Sequence, residues 1–139
     1  MFALSHASLT LLHAGQLQRA RALIDELIEV ADQKATLYWK AYGLLLKGWL
    51  AALTGYPAEG VEKIMSGISA MRSTGATGYA PWYQSILARA HAEAGQLTEA
   101  KRAIDEAIAQ MEITGEQWCE ADVRACAAEI GRMIAKDCG

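Results

Sequence analysis

Residues 14–20 read AGQLQRA, and residues 94–100 read AGQLTEA. The likeness runs on past both segments. Ala20, Ile24, Asp25, Glu26 and Ile28 correspond, 80 residues later, to Ala100, Ile104, Asp105, Glu106 and Ile108. Half that interval also holds: Gly15, Gly55 and Gly95 are 40 apart, as are Ile24, Ile64 and Ile104, and again Ile28, Ile68 and Ile108. Thr74-Gly75 likewise matches Thr114-Gly115. The chain is written in a 40-residue period with a more divergent middle copy. A fixed period of this size marks a repeat architecture.

Each period holds two helices. Across 16–33 the apolar positions are Leu17, Ala20, Leu23, Ile24, Leu27, Ile28 and Ala31, with Asp25, Glu26, Glu29 and Asp32 opposite. That is the three-four spacing of an amphipathic helix. The same reading predicts helices over 3–14, 36–53, 57–73, 79–94, 96–113 and 117–136, seven in all. Gly55 and Pro57 separate the third from the fourth, Gly75 and Gly78 end the fourth, and Pro81 falls in the first turn of the fifth. Proline suits a helix start and glycine a left-handed helix end, the role expected of Gly95. A two-helix unit cannot cover its own apolar face, so stacked copies make one continuous core. The expected fold is all-α: an α–α superhelix of about seven antiparallel helices, forming a single repeat domain over 1–139.

The pattern helix, Ala-Gly-Gln-Leu-x-x-Ala, helix resembles the tetratricopeptide repeat. In that family a glycine ends the first helix, and a small residue five positions on lets the second pack closely. Gly15 with Ala20 and Gly95 with Ala100 fit this pattern, and Gly55 with Gly60 fits it loosely. Gly48 and Ala88 match the small position inside the first helix. The period of 40 departs from the family's usual ~34 residues. Longer helices of this sort are similar to the C-terminal repeat regions of bacterial adenylate cyclases and ATPase-type transcriptional regulators. The phrase Ala-x-x-x-Ile-Asp-Glu-x-Ile and the joint Thr114-Gly115-Glu116-Gln117-Trp118 carry that likeness. The chain opens in mid-repeat, which points to a piece of a longer protein. The resemblance implies a protein- or peptide-binding module, a regulatory or scaffold part of a signalling or transcription-regulating protein. Self-association through exposed solenoid ends is the alternative, and it would make the chain a homo-oligomer.

Composition narrows the function classes. The 139 residues are 53% hydrophobic and 21% charged, enough apolar matter for a sizeable core. The net charge of −3 is interspersed, without the basic stripe that tracks nucleic acid. No apolar run nears the ~20 residues that span a bilayer. Cys119, Cys126 and Cys138 are odd in number and form no CxxC, so reduced thiols and a cytoplasmic location are expected.

First helices of such pairs line the concave face of a solenoid. Steps of 40 place Phe2, Tyr42, Trp82 and Asp122 in one layer, and Leu9, Trp49, Arg89 and Glu129 in another. Ser5, Leu45, Ser85 and Ala125 form a third. Tyr, Trp and Arg are enriched at binding hot spots, so Tyr42, Trp49, Trp82 and Arg89 are the candidate partner-binding residues. Against this stands plain inter-helix packing, since tryptophan is usually largely buried. Trp39 and Trp118, near helix starts, are read as packing residues.

Catalysis finds little support. His6 and His13 share a helix face but stand seven apart, and His91 has no partner nearby in sequence. Cys119 and Cys126 also stand seven apart, roughly 10 Å along a helix, too far to bridge. Asp25-Glu26 and Asp105-Glu106 recur at equivalent places, which reads as a solvated face of the repeat. The segment 73–78 lacks the lysine of a phosphate loop. Neither enzymatic activity, nor a metal, nor a cofactor is expected.

Overall fold

The computed structural model describes residues 1–76 and 78–138. They form seven α-helices and no strand: α1 Phe2–His13, α2 Leu17–Gln33, α3 Leu37–Leu53, α4 Pro57–Ser73, α5 Ala80–Glu93, α6 Leu97–Thr114 and α7 Glu120–Cys138. Each predicted helix is present. The largest boundary change is in α7, which starts three residues late. Trp118 and Cys119 lie in a turn before it, where the Glu120 amide donates to the Gln117 carbonyl.

The helices group into two compact units, Met1–Thr77 and Gly78–Gly139. The first holds α1 to α4 and the second α5 to α7. In the first, successive helices pack together, and so do α1 and α3. In the second, α5 packs on α6, α6 on α7, and α5 on α7. Both units therefore set one first-of-pair helix against the next.

The helix ends explain the period. Gly15, Gly55, Gly75, Gly95 and Gly115 all have left-handed backbones, with φ between +72° and +94°. They stand 20 or 40 residues apart. The one missing place in that 20-residue series is filled by Ala35, also left-handed at φ +52°. The next residue then closes the helix end in four cases. Gln16, Thr36, Tyr56 and Gln96 donate their amides to the carbonyls of Leu11, Ala31, Ala51 and His91, at 2.9–3.0 Å. This six-to-one bond is the Schellman closure, which satisfies an orphan carbonyl at a helix C-terminus. Each of these four residues is also the N-cap of the following helix, so the connection is only three residues long and neighbouring helices run antiparallel.

Small residues set how closely the helices approach. In the first unit Ser8, Ala20, Gly48 and Gly60 are buried, and in the second Ala88 and Ala100 are fully enclosed. Ser8 satisfies its buried hydroxyl on the Leu4 carbonyl at 2.7 Å, one turn back in its own helix. Around these positions lie the larger core side chains. The first unit buries Ile24, Leu27, Leu45, Leu46, Leu50, Ile64 and Met71; the second buries Tyr83, Ile86, Ile104, Val123 and Ile130.

Candidate partner-binding surface

Three of the four candidate contact residues are buried. Tyr42 is 4% exposed, Trp49 8% and Trp82 3%, whereas Arg89 is exposed. The physical reason lies in α3 and α5 themselves. Each carries apolar residues around most of its circumference, nine of its positions being buried. A helix that is apolar nearly all round is an inner helix, and its aromatics fill core volume. Tyr42 packs edge-on to Trp39 at 6.0 Å between ring centroids, and Trp49 meets His13 of α1 edge-on at 5.1 Å.

Arg89 is placed differently. It projects from α5, and its Nη2 donates to the Asp122 carbonyl of α7 at 3.4 Å. Glu129, the α7 member of its expected layer, and Asp122, of the Tyr42–Trp82 layer, are exposed as well. The exposed members of these two layers in the second unit are thus Arg89, Asp122 and Glu129. In the first unit the exposed layer member is Phe2, 63% accessible. Its ring lies 4.1 Å from His6 and 6.4 Å from Trp39, which is half-buried.

Sequence reasoning assigned Trp118 to packing, yet it is 54% exposed. Its Nε1 donates to Glu116 at 2.9 Å, and its ring meets Tyr79 at 5.2 Å. Tyr79 itself is left-handed at φ +68° just ahead of α5. The 40-residue rule offered a clue, because Trp118 falls two periods after Tyr38, which lies in the first turn of α3 and meets Trp39 edge-on at 5.0 Å.

Among the remaining reactive groups, His6 and His91 have polar neighbours and two of the three thiols are buried. His6 Nδ1 lies 3.1 Å from the Phe2 carbonyl, and His91 Nδ1 2.7 Å from Gln96 Oε1. No group of three or more His, Cys, Asp or Glu among the described residues is placed to hold a metal ion. Cys119 and Cys126 are buried free thiols, and Cys138 is an exposed one. Burial pushes the Cys119 thiol above its usual range, with Glu116 adding to the effect. Burial also raises Cys126, against an opposing pull from the Arg89 guanidinium. Both are therefore held as thiols, the unreactive form. The recurrent acids behave as a solvated face: Asp25 pairs with Lys47 at 2.8 Å and Asp105 with Lys101 at 2.7 Å.

Each unit has a shallow cleft on its surface. In the first, Arg21, Lys47, Lys63 and Tyr56 surround Leu50 and Ala51. In the second, Glu112, Glu116 and Glu120 face Arg124 beside Met111. No helix among the described residues is long and apolar enough to cross a membrane. No protein-family model, no curated protein and no solved structure matches the chain.

Proposed function

We propose that the chain is a tetratricopeptide-like repeat module that binds a protein or peptide, acting as a cytoplasmic regulatory or scaffold part of a bacterial signalling or transcription-regulating protein. The observation that carries this reading is the side-by-side packing of first-of-pair helices within each unit, α1 with α3 and α5 with α7. Within a unit, first-of-pair helices packed that way offer a face of aligned helices to an extended ligand. On the α5–α7 face of the second unit the exposed residues Arg89, Asp122 and Glu129, rather than the aromatics first singled out, make the contacts. Arg89, which donates to the Asp122 carbonyl of α7, has five guanidinium N–H donors to offer, some of them to a ligand carboxylate or carbonyl.

The test is selection of peptides by display against the folded chain, followed by calorimetry on wild type and Arg89→Glu. A selected peptide that loses about tenfold or more in affinity on Arg89→Glu supports the reading. Failure to select any peptide, or equal binding by both proteins, opposes it.

A second reading, self-association, is favoured by one observation. Ile113, near the end of α6, is 84% exposed, the most accessible large hydrophobic side chain among the described residues.

A further inference from the structure

The cleft of the first unit is lined by Leu50, Ala51, Thr54 and Tyr56 together with Arg21, Lys47, Lys63 and Glu59, three cations to one acid. Its volume is about 130 Å³, room for one branched aliphatic side chain. Lys47 and Lys63 already carry Asp25 and Glu59 as ion-pair partners. Arg21 is exposed and, among the described residues, has no such partner. The cleft therefore asks for an apolar side chain beside a carboxylate.

The second unit carries that combination. Ile113 stands out from the last turn of α6. Its neighbour Glu112 is exposed and, among the described residues, likewise lacks an ion-pair partner. The Glu116 carboxylate, just past the helix end, accepts from the Trp118 indole. We infer that Ile113 of one copy seats in the Arg21–Lys47–Lys63 cleft of another copy, with Glu112 against Arg21. This rests on the self-association reading above and gives it a site. The two surfaces are different patches of the same chain, so the contact is heterologous and adds copies in one direction until it closes or continues. Desolvation of Ile113 supplies the attraction, and the charges fix orientation and partner.

Sedimentation velocity over a concentration series tests the assignment on the whole chain. Wild type is expected to gain mass with concentration in about 0.01 M salt, and to associate about tenfold more weakly in about 1 M salt, where the Debye length falls from ~30 Å to ~3 Å. Arg21→Glu and Glu112→Arg are each expected to stay monomeric where wild type associates, and an equal mixture of the two to associate again. Ile113→Ser, whose fold is checked by circular dichroism, is expected to be monomeric as well. A wild type that is monomeric throughout overturns the self-association reading itself, also when a foreign acidic peptide fills the cleft. Association that survives Arg21→Glu, Glu112→Arg and Ile113→Ser keeps that reading and overturns this site.

Discussion

The carbonyl oxygen of Gly48 lies 2.6 Å from the point where a Cβ on Gly60 would stand, and the Gly60 carbonyl lies 2.8 Å from the matching point on Gly48. Here α3 and α4 touch backbone to backbone, and a backbone cannot swing aside as a side chain can. Gly48→Ala and Gly60→Ala are each expected to cost about 1–3 kcal/mol by forcing the helices apart. Gly131, inside α7, has open space around its Cβ position. Gly131→Ala is expected to add up to ~1 kcal/mol from helix propensity alone. Urea melts of the three variants check the opposite signs.

Ala35 breaks the series of left-handed glycines that end the helices. A Cβ in that conformation costs roughly 1–2 kcal/mol. Ala35→Gly is expected to recover part of this, a gain of ~0.5–1 kcal/mol after the greater chain entropy of glycine. Gly15→Ala, its counterpart one helix earlier, is expected to lose a similar amount. Thermal melts of both variants against wild type decide it.

How much of this was legible beforehand follows from the same residues. The 40-residue recurrence located all seven helices, because left-handed glycines and buried small residues are demanded locally and written plainly. The 20-residue series was half hidden, since Ala35 gives no sign of a positive φ. The candidate site was read less well. Tyr42, Trp49 and Trp82 are apolar enough for a hot spot or a core, and the sequence does not reveal that α3 and α5 are enclosed nearly all round. Arg89 was legible because a guanidinium is rarely enclosed. Trp118 was missed because its exposure depends on a turn at 118–119, where the periodicity predicted helix.

Trp82 and Arg89 give a direct contrast between core and surface. Trp82→Ala is expected to destabilise the fold by about 3–5 kcal/mol, as for any large enclosed aromatic. Arg89→Ala is expected to stay within about 0.5 kcal/mol of wild type. Equal, small effects in chemical denaturation would place Trp82 on a surface instead.

The thiols should separate by burial. At about pH 8 a maleimide is expected to label Cys138 on the folded chain and to spare Cys119 and Cys126, whose thiolates burial disfavours. The folded values lie above the ordinary 9.0. Their contribution to stability is therefore intact below about pH 9, and it falls as pH rises from there, because the unfolded chain releases these protons first. Mass spectrometry of the labelled protein, with and without denaturant, reads the difference.

The central claim is that a peptide-like partner lies along the aligned first-of-pair helices, and hydrogen exchange with a selected peptide tests it most directly. The expected result is slower exchange in α5 and α7 around Arg89, Asp122 and Glu129 when peptide is bound, with α6 unchanged. Protection centred on α6, or none at a saturating peptide concentration, would contradict the claim.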